Sequence, residues 1–220
     1  MTKHTKKVWY APYKFESYGQ EEIDAVTECL KAGWLGGQGP KSVEFEKAIA
    51  KRFGKKFGVF VNSGSSACLL AIAGLNLKKG THIITPACTF ATTLAPIIQL
   101  GYKPVFVDVG LTDYVADIDQ VLAAVTNETS ALMLPNLIGN KPDWAKLKAG
   151  LIDMGREDIF LIEDSADTIT ETQITDVSTT SFYASHVITA GGVGGMVMFN
   201  DEKHVTKALQ YRDWGRLGND

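Results

Sequence analysis

The sequence predicts an α/β fold of three layers, with helices covering both faces of a mostly parallel sheet. Three observations predict it. Short runs such as residues 57–61, 104–109 and 130–135 are apolar almost throughout, the pattern of strands buried on both faces. Most of these runs are followed by a segment with helical spacing, so strand and helix alternate along the chain. The residues of chemical interest come just after strands, where ligands bind on such sheets.

The elements follow in order. Residues 20–31 read as an amphipathic helix, with Ile23, Val26, Cys29 and Leu30 on one face. A glycine-rich stretch over 33–39, closed by Pro40, ends it in a loop. A second helix over 41–53 repeats Val43, Phe45, Ile49 and Ala50 at helical spacing. A strand at 57–61 leads through Asn62-Ser-Gly-Ser-Ser to a small-residue helix running from Ala67 to Leu75. The strand at 82–85 precedes a helix at 89–100. The strand at 104–109 precedes a helix at 117–125 that starts from an acidic cap. The strand at 130–135 precedes a helix at 144–154. A strand at 159–163, a polar strand or turn at 181–188, a strand at 195–199 and a helix at 202–212 complete the series.

Composition narrows the function classes. The chain of 220 residues is 45% hydrophobic and 21% charged, enough for a core of ordinary size. A net charge of -3 offers no electrostatic footprint for nucleic acid or an anionic membrane. Lys3, Lys6 and Lys7 make a short basic tail, read as a solvated terminus. No apolar run approaches a membrane span, and the first twenty residues lack the apolar core of a signal peptide. Cys29, Cys68 and Cys88 lie far apart without metal-ligand spacing. They read as buried, reduced thiols of a cytoplasmic protein, and no metal site is expected.

Four segments carry possible chemistry. Asn62-Ser-Gly-Ser-Ser-Ala67, between strand and helix, would aim backbone N–H groups at an anion such as a phosphate monoester; the plainer reading is a polar helix cap. Glu163 and Asp164 end a buried strand, and unpaired buried carboxylates are costly, so one should meet a cation such as a protonated pyridine nitrogen; a capping aspartate with a salt-bridged neighbour is the alternative. Phe90 opens a helix and could stack on a planar ring, or could be core. Ser181-Phe-Tyr-Ala-Ser-His186 crowds hydroxyls, aromatics and an imidazole before Gly191-Gly-Val-Gly-Gly195, where glycine lets backbone approach a ligand.

In order and spacing these segments resemble the DegT/DnrJ/EryC-type sugar aminotransferases, pyridoxal-phosphate enzymes of the aspartate-aminotransferase fold. The resemblance runs from Gly33-Trp-Leu and Gly39-Pro-Lys through Glu44-Phe-Glu, Asn62 to Ala67, Pro104-Val-Phe-Val-Asp108 and Glu163-Asp164 to Ser181-Phe-Tyr. It implies that Gly64 and Ser65 cradle the cofactor phosphate, that Ser181 also holds it, and that Phe90 stacks on the ring. It implies that Asp164 pairs with the pyridine nitrogen and that Asp167, three residues on, also belongs to the cofactor-binding set. The family's Schiff-base lysine lies five residues after that serine, and here the position is His186. With no amine there, the resemblance is to the sugar 3-dehydrases, which act on CDP- or GDP-linked 4-keto-6-deoxyhexoses with pyridoxamine phosphate. Asp167, where the aminotransferases usually carry glutamine, and Arg212-Asp-Trp-Gly-Arg216 point to the same branch. His186 is then implied to act as general base on the cofactor methylene while the C3 hydroxyl leaves.

Three departures qualify the match. Family members carry a second, smaller domain, so residues 1–220 are expected to be the large domain alone, with 1–40 as an arm reaching the dimer and active site. The family's Gly-x-Phe-Gly segment after the aspartate is missing, with Glu171 to Asp176 in its place. Ala166 stands where the iron–sulfur dehydrases carry a cysteine, so no cluster is expected. The competing expectations are a nucleotide-sugar aminotransferase, or a truncated, non-catalytic homologue that binds cofactor or a partner only. The missing domain further implies a homodimer or a partner chain that supplies it.

Overall fold

Strand 129–135 shows why the sheet is covered on both sides. Ala131 and Met133 point into one apolar cluster and Leu132 and Leu134 into another, and all four are fully buried. Successive side chains of a strand face opposite ways, so a continuous apolar run demands two covering layers. The computed structural model describes residues 18–34 and 38–216. The basic tail, half of the expected N-terminal arm and Leu35 of the Gly33-Trp-Leu motif lie outside the described residues.

The described elements are α1 (Gln20–Ala32), α2 (Pro40–Arg52), β1 (Phe57–Val61), α3 (Gly64–Leu75), β2 (His82–Pro86), α4 (Ala91–Gln99), β3 (Lys103–Val107), α5 (Ile118–Ala123), β4 (Thr129–Pro135), α6 (Trp144–Asp153), β5 (Phe160–Ser165), β6 (Val177–Ser181), β7 (Gly195–Phe199) and α7 (Glu202–Arg212). The strands form one seven-stranded sheet in the order β1-β7-β6-β5-β4-β2-β3. Strand β7 alone runs against its neighbours. Helices α3 and α7 supply Ala71, Ile72, Val205 and Ala208 to the cluster on one face. On the other face α5 and α6 pack Val121, Leu147 and Leu151, and α2 with its C-terminal cap packs Ile49 and Phe53 against Met196 and Met198.

Four expectations need correction. The helix expected from Ala67 starts at Gly64, because Ser63 caps it by accepting the Ser66 N–H at 3.2 Å. The helix expected from residue 89 starts at Ala91, with Phe90 as its N-cap. The polar strand or turn at 181–188 is a strand ending at Ser181, followed by turns. Its five residues, Val-Ser-Thr-Thr-Ser, are buried despite their polarity because Ser178, Thr179 and Thr180 donate to Glu163, Asp164 and the Ser165 carbonyl of β5. Finally, of the three cysteines only Cys68 is buried.

The amphipathic pattern of α1 is present, yet none of its residues is buried among the described residues. No described helix is long and apolar enough to cross a membrane.

Strand β7, being antiparallel, begins where its neighbours end. Gly195 therefore pairs with both Val61 and Ser181. A Cβ on Gly195 would fall 2.2 Å from the Ser63 carbonyl oxygen, inside the backbone that leads into α3. Gly195→Ala is expected to destabilise the fold by at least about 2 kcal/mol, measurable by denaturant unfolding.

Candidate active site

The carboxyl ends of β1, β2, β4, β5 and β6 converge on one side of the sheet. Strand alternation sends Glu163 and Asp164 to opposite faces of β5, and each has its own environment. Asp164 turns toward α3 and α4. Its Oδ2 accepts a hydrogen bond from Thr93 at 2.8 Å and its Oδ1 one from Thr179 at 3.2 Å. Burial pushes its carboxyl up from the ordinary value, against the opposing pull of those hydroxyls and the Cys68 thiol. Beneath it, burial and the nearby Asp164 charge hold the Cys68 thiol well above its usual range. A carboxylate kept under such strain favours a cationic partner.

Glu163, on the other face, accepts from Asn136 Nδ2 at 2.7 Å, Thr172 at 2.7 Å and Ser178 at 2.8 Å. Close by, Lys55 Nζ donates to the carbonyls of Thr172 and Thr175 and to the Thr175 hydroxyl. Lys141 Nζ reaches Thr170 and Thr172 hydroxyls and the Glu171 carbonyl. The two lysines thus brace the segment that replaces the expected glycine-rich stretch, and both amines are committed to it. Burial pushes the Lys55 ammonium down to about 8, against the attraction of Glu163 and Asp176. The folded protein therefore releases this proton near pH 8 and the unfolded chain near its ordinary 10.5. Stability should rise with pH across that window, by at most roughly 1.4 kcal/mol per pH unit. Lys55→Met should abolish that rise in thermal unfolding followed at a series of pH values.

The start of α3 forms a cradle. The N–H groups of Gly64 and Ser65 have no acceptor among the described residues, as expected of a first helical turn. The Ser65 hydroxyl donates to Thr92 at 3.0 Å, linking the starts of α3 and α4. A Cβ on Gly64 would lie 2.7 Å from the Ser181 Cβ, so only glycine lets Ser181 stand against this turn. Phe90 is 70% exposed at the rim, an aromatic face open rather than core.

His186 sits in the turns after β6, its backbone N–H donating to the Tyr183 carbonyl at 2.9 Å. Its Nε2 lies 3.9 Å from Asp167 Oδ1. Asp167 Oδ2 in turn accepts the Ile138 N–H at 3.1 Å. Ile138 holds φ 56° and ψ 25°, a left-handed conformation costly for a β-branched residue. Two buried polar atoms here have no partner among the described residues, His186 Nδ1 and Asn136 Oδ1.

The structure thus brings Gly64, Ser65 and Ser181 together, places Asp164 among hydroxyls, and pairs Asp167 with His186. Sequence reasoning missed Thr93, Thr179 and Asn136. The hydroxyl-rich run 178–181 was the available signal for Thr179. Nothing marked Asn136, whose N–H donates to the Asp164 carbonyl at 2.8 Å.

The DegT/DnrJ/EryC1/StrS aminotransferase family model matches residues 16–220 of this chain. The chain belongs to that family. Among curated relatives of the family, it is 39% identical over 194 residues to dTDP-4-dehydro-2,6-dideoxy-D-glucose 3-dehydratase of Saccharopolyspora spinosa, covering 81% of this chain and 41% of that protein. It is 35% identical over 209 residues to spore coat polysaccharide biosynthesis protein SpsC of Bacillus subtilis, covering 92% of this chain and 52% of that one. The structure of E. coli GDP-4-keto-6-deoxy-D-mannose-3-dehydratase with bound hydrated PLP superposes with a TM-score of 0.79 at 31% identity, covering 90% of this chain and 53% of the other. The chain spans about half the length of these relatives.

The residues present fit a pyridoxal-type cofactor. The free N–H groups and the Gly64–Ser181 approach suit a phosphate, the exposed Phe90 face suits a planar ring, and the strained Asp164 carboxylate suits a protonated ring nitrogen.

Proposed function

We propose that this chain is the cofactor-binding domain of a pyridoxamine phosphate-dependent enzyme that removes the C3 hydroxyl of a nucleotide-linked 4-keto-6-deoxyhexose. The observation that carries this reading is an imidazole, His186, where the family places an amine, five residues after Ser181. The 3-dehydratase names borne by relatives support it. When bound, the cofactor supplies an amine for the sugar ketone and a ring that takes up electron density.

The chain's own residues divide the remaining work. Gly64, Ser65 and Ser181 hold the phosphate. Phe90 lies against the ring, and Asp164 keeps the ring nitrogen protonated. His186 accepts a proton at Nε2, since Nδ1 is buried. An imidazole does not compete for the carbonyl as a lysine amine does, which disfavours amino transfer. The sugar and nucleotide are the substrate side of this proposal; a second copy, or a partner chain supplying the small domain, is its assembly side. We place the enzyme in the cytoplasm, where activated sugars of this type are modified.

The test is a pyridoxamine phosphate titration of the purified chain by absorbance and thermal stability, followed by 4-keto sugar turnover. Saturable binding and loss of the C3 hydroxyl are expected. An absorbance band of lysine-bound cofactor, with amino transfer, would return the protein to the sugar aminotransferases. Absence of binding would leave a non-catalytic homologue.

A further inference from the structure

Asp164 is held from two sides by elements remote from it in sequence. From α4, the Thr93 hydroxyl donates to Oδ2 at 2.8 Å. From β6, the Thr179 hydroxyl donates to Oδ1 at 3.2 Å. Thr179 has one hydroxyl proton, so towards the Cys68 thiol of α3, 3.6 Å away, its oxygen can only accept. That thiol is buried and held well above its usual range, so it remains a donor. Thr93 is itself 1% exposed, and its backbone N–H donates to the Phe90 carbonyl at 3.0 Å. Its neighbour Thr92 accepts from Ser65 of the cradle at 3.0 Å. The first turn of α4 thus joins the three parts of the candidate site: the cradle, the aromatic face and the buried carboxylate.

We propose that Thr93 is a positioning residue for Asp164: its hydroxyl fixes the carboxylate in register with Phe90 and the Gly64–Ser65 cradle, so that a cofactor seated on those two meets an aligned, ionised oxygen at its ring nitrogen. This rests on the cofactor site of the reading above and gives Thr93 a role exerted through Asp164. A hydrogen bond donated to a carboxylate favours its ionised form. It also costs little at the moment of binding, because the donor is already in place when the ligand arrives. Among the described residues, the titratable groups that bear on Asp164 are Cys68 of α3 and Asp167 of the segment after β5, while α4, β6 and β4 set Thr93, Thr179 and Pro135 against it.

The test compares the wild type with Thr93→Val, Thr93→Ser, and Thr93→Val in an Asp164→Asn background. Valine keeps the shape and removes the donor; serine keeps the donor. Pyridoxamine phosphate affinity is followed by cofactor absorbance from neutral to acid pH, with thermal unfolding of the unliganded proteins as a check on folding. Affinity should fall in acid as Asp164 takes a proton. Without the Thr93 hydroxyl Asp164 protonates sooner, so the fall should begin about one pH unit higher in Thr93→Val. Thr93→Ser should follow the wild type. In the Asp164→Asn background Thr93→Val should leave the profile in place, since the carboxyl through which Thr93 acts is gone. A Thr93→Val profile that overlays the wild type would overturn the proposal. So would an equal displacement in the Asp164→Asn background, which would make Thr93 a packing residue. Should Thr93→Val not fold, Thr93→Ala is read against the same two criteria. If the wild type binds no pyridoxamine phosphate, the cofactor reading fails and this proposal with it. If it binds cofactor but dehydrates no 4-keto sugar, only the dehydration reading falls, and the pH profiles still decide the role of Thr93.

Discussion

His186→Asn should abolish loss of the C3 hydroxyl, lowering kcat by about 10²–10⁴-fold, while pyridoxamine phosphate still binds. The reason lies in what the site offers besides His186. The lysines braced near the sheet, Lys55 and Lys141, donate to the 170–175 segment, and Lys55 lies on the Glu163 face of β5, away from Asp164. The cradle at Gly64 and Ser65, the Asp164 carboxylate and the Phe90 ring do not depend on the imidazole, so affinity should change little. Rate and affinity measured on the same preparation separate the two effects, and a variant as active as the wild type would remove His186 from the mechanism.

Asp164→Asn should have the opposite profile, costing affinity first. Burial raises the Asp164 carboxyl above its ordinary value of 3.8. A carboxyl raised by folding contributes stability that is present below the unfolded value and lost as pH climbs through the folded one. Ionising Asp164 in the unliganded protein therefore costs stability that a cationic partner returns. Asparagine has the same shape without the charge. The unliganded variant should unfold at a higher temperature than the wild type at pH 7, and the gap should close in acid. The variant should lose at least about 30-fold in pyridoxamine phosphate affinity, since a buried hydrogen-bonded charge pair broken on one side costs some 2 kcal/mol or more. The cofactor should raise the wild-type melting temperature and barely move that of the variant. Equal affinity in the two proteins would show that Asp164 does not meet a charged ring nitrogen.

The contrast between β4 and β6 shows where sequence reading succeeds. Strand β4 announces itself because Ala131 to Leu134 leave no polar face. Strand β6 is as deeply buried but is expected only from Ser181 onward, as a polar strand or turn, since Ser178, Thr179 and Thr180 look solvated until the carboxylates and carbonyl of β5 are placed beside them. A buried polar strand is stable only with its partners present, and those lie fifteen residues away in the chain.

The site divides the same way. Gly64, Ser65, Asp164 and Ser181 were legible because each ends a strand or opens a helix, and local geometry puts such residues at the carboxyl edge of the sheet. The environment of Asp164 was not legible: Thr93, Cys68 and Thr179 come from two helices and a strand.

Beside the family resemblance that singles out the imidazole at position 186, the sequence by itself determined the three-layer fold and the edge of the sheet where the candidate site lies. These rest on periodicity and residue type, which act over a few neighbouring residues. Only the tertiary structure decided that Asp164 and Glu163 face different worlds, that Lys55 is buried beneath one of them, and that Asp167 meets both a strained Ile138 and His186. Burial, charge pairing and backbone strain depend on distances between remote segments, and folding alone sets those distances.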